Sequence, residues 1–236
     1  MTSTGSAAAI GDPRHTVPVD RRLLLGAGVT GTVGSLLLLT TFVLIGALGL
    51  PDTSDPESLL RFPEIQHARA VENVLYLAGI ALWAVHHDLL HRLLRAIAPV
   101  LSTAARTVGS LGAAVLAAGA LLNVATAAMS QTYQQAAPPD RVGVVLAWQA
   151  AQGVLDAMLV AGALLLPVGV VLFGLALRSG RSTLLGWGSV AVGTAGIAGA
   201  VAAAATPPSA MVAVSILGTL AFHLVAGIRW LWLAHS

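Results

Sequence analysis

Uncharged apolar runs are the feature that most constrains this chain. Residues 23–50 contain no charged side chain, and further long apolar runs follow. Of the 236 residues, 56% are hydrophobic and 9% are charged, whereas roughly 25% are charged in a soluble domain. A water-soluble surface cannot be built from so few charged side chains, so lipid must solvate most of the chain. The sequence therefore predicts an all-α, multi-pass membrane protein.

The same composition excludes several functions. All 12 basic residues are arginines that lie between the apolar runs, where basic side chains set membrane orientation rather than follow phosphates. We therefore expect no nucleic-acid partner. The absence of cysteine excludes disulfides, thiolate metal ligands and iron–sulfur clusters. Because nucleophile-elbow and phosphate-loop motifs are also missing, we assign no catalytic residues and favour a non-enzymatic protein.

The lengths of the apolar runs predict the number of spans. About 20 helical residues cross the roughly 30 Å of hydrocarbon in a bilayer. Residues 1–22 have no apolar period and are predicted to form a disordered cytoplasmic tail. Residues 23–236 are predicted to form one domain of six transmembrane helices, over residues 23–50, 71–90, 107–129, 154–177, 184–205 and 209–228.

One apolar stretch does not fit a single crossing. Residues 142–177 would extend about 54 Å as a helix, which is too long for one perpendicular span and too short for two spans with a turn. We therefore predict an interfacial helix over residues 142–153, followed by the fourth span with a kink at Pro167.

The distribution of arginine predicts the orientation. Nine of the 12 arginines fall on one side of this layout, and three, Arg61, Arg69 and Arg141, fall on the other. Because arginine accumulates in short cytoplasmic loops, both termini are predicted to be cytoplasmic. The abundance of Ala, Gly and Arg without Lys is typical of a GC-rich genome and favours a bacterial cytoplasmic membrane.

Glycine recurs at helix-packing spacing in three of the predicted spans. Small residues let helix backbones approach closely where lipid supplies no hydrophobic drive between helices. Two interpretations stay open: close packing within one bundle, or a face for a homo-oligomer. Membrane lipids are the other expected partners. The glycines are Gly26, Gly28, Gly31 and Gly34 in the first span, Gly109, Gly112 and Gly119 in the third, and Gly193, Gly196 and Gly199 in the fifth.

Aromatic residues cluster near the predicted borders of the spans. Trp187, Trp230 and Trp232 lie near the cytoplasmic border, and Trp148 and Tyr133 lie near the outer one. Because Trp and Tyr are enriched at membrane–water interfaces, these positions predict aromatic belts rather than a cofactor cage.

A polar layer is predicted near the outer end of the hydrocarbon. Counted along the helices from the arginines at the cytoplasmic border, Glu72, Asn123 and Asp156 reach a similar depth. Ionised side chains in a membrane normally face the helix bundle or water. The candidate ligand-binding residues are Glu72, Asn73, Asn123, Gln149, Gln152 and Asp156, of which the last three share one helical face.

Three interpretations of this layer stay open. The side chains contact headgroup water or cap helix ends, they hydrogen-bond between helices, or they line an outward-opening pocket. Such a pocket would bind a lipid or a small polar ligand, a cation or a proton.

A second polar layer consists of histidines on the cytoplasmic side. His86 and His87 on the second span lie at the same depth as His223 on the sixth. His91 follows His87 at the i+4 spacing that can chelate a metal from one helical face. His86, His87, His91 and His223 are therefore the candidate ligands of a divalent metal or a haem b.

The alternative interpretation of the histidine layer is an interfacial helix end. Asp88 lies at the spacing that pairs with Arg92 on one helical face. The histidines would then be amphipathic residues near the lipid headgroups.

The region around the fourth and fifth spans carries a family resemblance. A Phe173-Gly174 pair lies within the stretch from Val168 to Leu177, a turn Arg178-Ser179-Gly180 follows, and a glycine-rich span begins near Leu185-Gly186. This pattern resembles bacterial membrane proteins grouped as domain of unknown function 4386. Ser182-Thr183 stands where that family usually has proline. The resemblance implies a six-helix membrane protein and no established chemistry.

Three functions are compatible with the sequence. The first is a non-enzymatic membrane protein that binds a lipid or a small polar ligand in the outer layer. The second is a haem- or metal-binding membrane protein with redox or hydrolytic activity at the cytoplasmic histidines. The third is a small transporter that acts as an oligomer, although no inverted internal repeat is present.

Overall fold

The protein folds into a bundle of α-helices. The computed structural model describes residues 20–49, 55–179, 182–205 and 211–236, and within these ranges it contains no β-strand. The helices are α1 (Arg21–Leu48), α2 (Ser58–Leu94), α3 (Pro99–Gln135), α4 (Pro138–Arg178), α5 (Thr183–Ala205) and α6 (Met211–His235).

All six described helices are long and apolar enough to cross a membrane. The prediction of an all-α, multi-pass membrane protein with six spans is therefore confirmed. Residues 1–19 of the predicted tail, the predicted end of the first span at residue 50 and the predicted start of the last at residue 209 lie outside the described residues.

Local sequence signals explain where several helices begin and end. The Asp20 carboxylate accepts a hydrogen bond from the Arg22 backbone N–H at 2.8 Å and so caps α1. Both α3 and α4 begin at proline, which lacks the N–H that the first helical turn leaves unpaired. At the far end of α1, Gly49 adopts a positive φ of 74°, which glycine reaches without strain.

Five of the helices form a ring. Each helix packs against its neighbour in sequence, α6 closes back on α1, and α4 also contacts α6. The ring therefore runs α1–α2–α3–α4–α6, and α5 packs outside it against α4 and α6. We call the end where α1 begins and α6 ends the terminal end, and the opposite end the distal end.

The terminal end holds the largest apolar core. Its buried side chains come from the beginning of α1, the turn between α2 and α3, and the ends of α4 and α6. They include Leu24, Leu94, Ala98, Phe173, Leu177, Phe222 and Trp230. Leu101 of α3 and Leu185 of α5 are partly buried and pack against this core, so all six helices reach it.

At the distal end, α2, α3 and α4 extend beyond the rest. They have 37, 37 and 41 residues, against 28 in α1. The extensions pack around buried Leu59, Tyr133 and Trp148, and the Ser130 hydroxyl donates a hydrogen bond to the Leu59 carbonyl at 2.6 Å. Because of this packing, α2 begins 13 residues before the predicted span at residue 71.

The predicted interfacial segment, residues 142–153, forms part of this extension. It is continuous with residues 154–177, so one helix of 41 residues covers both. Trp148 in this segment is buried between α2 and α3, which holds the segment in line with the rest of α4.

The aromatic-belt prediction is only partly correct. Trp187 and Trp232 are exposed on the outside of the bundle, and the Arg178 guanidinium lies 3.6 Å from the centre of the Trp187 ring. Trp148, Trp230 and Tyr133 are buried core residues instead. A Trp or Tyr side chain near a border can lie either at the membrane interface or in the core. The rotation of its helix decides which of the two it does.

The predicted glycine faces lie inside the bundle. A Cβ atom on Gly28 would lie 2.7 Å from a side-chain carbon of Leu231, and one on Gly193 would lie 2.8 Å from the Pro167 carbonyl. A Cβ atom on Gly199 would lie 2.7 Å from the Met211 carbonyl, and one on Gly112 would lie 3.0 Å from the Leu165 Cβ. Close packing within one bundle therefore accounts for these residues, and a homo-oligomer stays a prediction.

Candidate functional site

A cavity of about 550 Å³ lies inside the ring in its distal half. Helices α1, α2, α3, α4 and α6 all contribute to its wall. Its floor is apolar and its distal rim is polar. The floor includes Leu38, Ile80, Trp83, Leu116 and Leu166, and the rim includes Arg69, Glu72, Asn73, Asn123, Gln152 and Asp156.

The rim contains a buried ion pair within α2. Arg69 Nη1 donates to Glu72 Oε2 at 2.6 Å, and both residues are 5% exposed. The i,i+3 spacing places the two side chains on one helical face. Arg69 also donates to the Gly49 carbonyl, which ties the distal end of α1 to α2. The charges neutralise each other inside the protein, so neither is left unpaired.

Amide side chains link the remaining walls of the rim. Asn123 on α3 donates to the Asn73 side-chain carbonyl on α2 at 3.3 Å. Gln152 on α4 donates to the Thr126 hydroxyl on α3 at 3.3 Å. These bonds join three adjacent helices at one level.

Asp156 is the acidic rim residue without such a partner. It is exposed while lining the cavity, so it lies where the cavity opens. Within the described ranges, no hydrogen bond or ion pair joins its carboxylate to another side chain. With Arg69 at +1 and Glu72 and Asp156 at −1 each, the formal charge of the rim is −1.

Five of the six residues in the predicted outer layer therefore line one cavity. Gln149 does not: it is exposed and lies two helical turns distal to Asp156. It shares a helical face with Asp156, as the spacing predicts, but that part of α4 continues past the cavity into the distal extension.

Directly below the cavity floor lies a buried cluster of three histidines. His86, His87 and His223 are all 0% exposed. The Nε2 atoms of His87 and His223 lie 3.3 Å apart, and the centre of the His86 ring lies 5.1 Å from that of His223. Trp83 stacks on His223 with ring centres 4.3 Å apart. Trp83 therefore separates the cluster from the cavity.

Hydrogen bonding fixes only part of this cluster. The Nδ1 atom of His86 is 2.7 Å from the Ala27 carbonyl, and since a carbonyl only accepts, this nitrogen carries the hydrogen. Three buried ring nitrogens have no partner among the described residues: His86 Nε2, His87 Nδ1 and His223 Nδ1. Buried polar atoms are normally satisfied, so three in one cluster call for a functional explanation.

Glycines make room for the imidazoles. A Cβ atom on Gly31 of α1 would lie 2.5 Å from Cε1 of His86. A Cβ atom on Gly109 of α3 would lie 2.7 Å from Cε1 of His87. Two of the glycines that the packing motif identifies therefore determine where the histidines fit.

His87 and His91, which lie at the predicted chelating spacing, contact different partners. The Nδ1 atom of His91 lies 3.2 Å from the Ser102 hydroxyl at the start of α3, whereas His87 contacts His223 on α6. Nearby, the Asp88 carboxylate accepts from Arg92 at 2.7 Å and lies 3.3 Å from Arg106. The predicted Asp88–Arg92 pair therefore forms. It lies beside the partly exposed His91, and it is not part of the buried cluster of His86, His87 and His223.

The histidine geometry does not fit the proposed haem. A haem iron and its macrocycle lie between the two axial nitrogens. The Nε2 atoms of His87 and His223 are already within hydrogen-bonding distance, and the His87 ring stacks on Phe173. Among the described residues, no group of three or more His, Asp or Glu side chains has the geometry to hold a metal ion.

Several residues of the site are missed by the sequence analysis. Arg69 is used there only in the division of arginine between the two sides, although its i,i+3 spacing from Glu72 is a usable signal. Trp83 precedes His86 by one helical turn, but its contact is with His223 on another helix. Thr219 and Tyr76 line the cavity without a sequence signal, because each is one hydroxyl in an apolar span.

No family model, no curated protein and no solved structure matches the chain. Its function therefore rests on the chemistry of the cavity and of the histidine cluster.

Proposed function

We propose that this protein is a non-enzymatic membrane protein that binds a single-chain amphiphile in the distal cavity. The observation that carries the proposal is the division of one cavity into an apolar floor and a polar rim. An alkyl or isoprenyl chain packs on the floor, and its head group contacts the rim. The volume of about 550 Å³ falls within the roughly 300–1,000 Å³ of small-molecule sites.

The charge of the rim favours a cationic head group. Arg69 is neutralised by Glu72, so it offers little attraction to an anion. The Asp156 carboxylate lies at the cavity opening and accepts hydrogen bonds. An ammonium group placed there gains a charge-assisted hydrogen bond, which is about twice as strong as a neutral one.

This preference can be measured with three probes of equal chain length. In nanodiscs, we expect dodecylamine to raise the melting temperature of the protein more than dodecanol does, and laurate least. A ligand at 100 times its Kd stabilises the folded state by about 2.7 kcal/mol. We expect Asp156→Asn to abolish the advantage of dodecylamine over dodecanol. Equal stabilisation of the parent by all three probes would contradict the cationic preference.

A filled cavity provides the structural control. Ala120 lines the cavity, whereas Ala118 is exposed on the same helix. We expect Ala120→Phe to remove the response to all three probes and Ala118→Phe to keep it. If both variants still respond, the probes bind elsewhere on the protein.

We further propose that the terminal end of the bundle faces the cytoplasm of a bacterial cell. The nine-to-three division of arginine supports this orientation. The cavity then opens toward the outer leaflet. Membership of the family of domain of unknown function 4386 is part of the same proposal, on the pattern around Phe173-Gly174.

Cysteine labelling tests the orientation, because the parent chain contains no cysteine and gives no background. Glu57 at the distal end and Ser236 at the terminal end are both exposed. In intact cells, we expect a membrane-impermeant maleimide to label Glu57→Cys. Ser236→Cys should react only after the cells are opened. The reverse pattern would invert the orientation.

A further inference from the structure

We propose that His91, His87 and His223 form a proton path between the terminal end of the bundle and the distal cavity. The proposal uses side chains other than those of the cavity rim. Ligand binding alone explains the cavity, but it gives the histidine cluster no role. Proton transfer is the role that we assign to the cluster.

The centre of the path is the contact between His87 and His223. A neutral imidazole carries a hydrogen on one nitrogen and accepts at the other. In each of these rings Nε2 faces its partner at 3.3 Å, while Nδ1 is buried without a partner. Each ring therefore has one nitrogen in the shared contact and one open nitrogen on the opposite side, the arrangement that passes a proton through a ring.

A proton passes through the two rings in three steps. A proton binds His87 at Nδ1, and the hydrogen on His87 Nε2 moves to His223 Nε2. The hydrogen on His223 Nδ1 then leaves, so one proton enters and one departs. Both rings end in the opposite tautomer and must return to their first state before the next proton passes.

At the terminal end, His91 connects this pair to water. It lies one helical turn from His87 on the same face of α2, and it is partly exposed. Side chains at this spacing are about 5–6 Å apart at Cβ, and the proposed path places one bridging water between the two rings. The charged side chains Asp88, Arg92 and Arg106 lie at the same end of the bundle, and they are 33%, 58% and 48% exposed.

At the cavity end, His223 is close to the floor. Trp83 contacts both His223 and the cavity. Thr219 lies one helical turn distal to His223 on α6, and it lines the cavity. The Thr219 hydroxyl donates to the Ser215 carbonyl at 2.9 Å, and it lies between the level of His223 and the polar rim of the cavity.

The surroundings of the pair isolate it from other charges. The rings of His87 and His223 contact His86 and Trp83 from α2, Phe173 from α4 and Phe222 from α6. Glycines face the cluster from α1 and α3. His86 is the titratable neighbour, and its Nδ1 is held by the Ala27 carbonyl. Apolar side chains would fill this space without unpaired nitrogens, so packing alone does not explain the histidines.

Proton flux into liposomes tests the path without any ligand. The full-length protein is reconstituted with a pH-sensitive dye inside, and a potassium gradient with valinomycin makes the interior negative. We expect the internal pH to fall faster than in protein-free liposomes. His87→Gln, His223→Gln and His91→Gln should each reduce the flux to the protein-free level. His67→Gln, which changes an exposed histidine of α2, should leave the flux unchanged.

Each outcome is decisive. Wild-type flux equal to that of protein-free liposomes would overturn the path, as would variants that remain folded by thermal melting and keep full flux. Because His91 is partly exposed, its variant tests the path even where changes at the buried histidines prevent folding. Ligand binding at the rim is measured separately with the amphiphile probes, so failure of one proposal leaves the other standing.

Discussion

Arg69→Ala is expected to destabilise the protein strongly. The substitution leaves the Glu72 carboxylate buried without its partner, where removal of one member of a buried ion pair costs about 3–5 kcal/mol. It also removes the bond to the Gly49 carbonyl, which joins the distal end of α1 to α2. Reversible unfolding with sodium dodecyl sulfate in mixed micelles or bicelles measures the loss.

A second ion pair, between Arg61 of the same helix and Asp55 just before it, provides the control. Arg61 and Asp55 also lie 2.6 Å apart, but their side chains are 65% and 38% exposed. Exposed pairs contribute about 0–1 kcal/mol, so we expect Arg61→Ala to cost little. The double variant Arg69→Ala/Glu72→Ala should recover part of the loss. An effect of Arg69→Ala no larger than that of Arg61→Ala would show that the rim pair is not buried.

Gly31→Ala is expected to be the second most damaging of these changes. The new methyl group would lie 2.5 Å from Cε1 of His86 and 2.8 Å from the His223 carbonyl oxygen. One neighbour is an enclosed ring and the other is backbone, so neither can move aside easily. Overpacking of this kind costs about 1–3 kcal/mol. The same substitution displaces two histidines of the cluster.

Gly46→Ala is the matched control for this change. Gly46 is in the same helix, and nothing lies within 4 Å of a Cβ atom placed there. Since alanine favours a helix by about 0.8–1.0 kcal/mol over glycine, we expect this variant to be unchanged or slightly more stable. In the same detergent, the melting temperature should therefore fall for Gly31→Ala and stay unchanged or rise slightly for Gly46→Ala. If both variants lost the same stability, the loss would come from placing alanine in α1 and not from contacts of the new methyl group with the histidines.

Depth along a helix is the property of the site that the sequence predicts well. Glu72, Asn123 and Asp156 lie on three different helices, and counting residues from the arginines places them at one level. The structure brings all three to the wall of one cavity. The count succeeds because the rise of an α-helix is nearly constant at about 1.5 Å per residue, so position in the chain converts directly to depth.

Helix rotation and the choice of neighbours are the properties that the sequence does not predict. His87 and His91 share a face, so a local pairing is a natural expectation, yet His87 contacts His223 and His91 contacts Ser102. The partner of each imidazole depends on which helix packs beside α2. Gly31 and Gly109 determine that packing by letting α1 and α3 approach the rings.

The sequence by itself determined that lipid surrounds this protein, that it is helical and that it has six spans. The reason is that the free-energy cost of placing charges and unpaired backbone groups in hydrocarbon acts on each segment separately. Tertiary structure alone decided that α2, α3 and α4 continue beyond the other helices, that Arg69 is buried against Glu72, and that Trp83 lies between the cavity and the histidines. These features arise from contacts between helices, where lipid supplies no hydrophobic drive and close packing of small residues selects the arrangement.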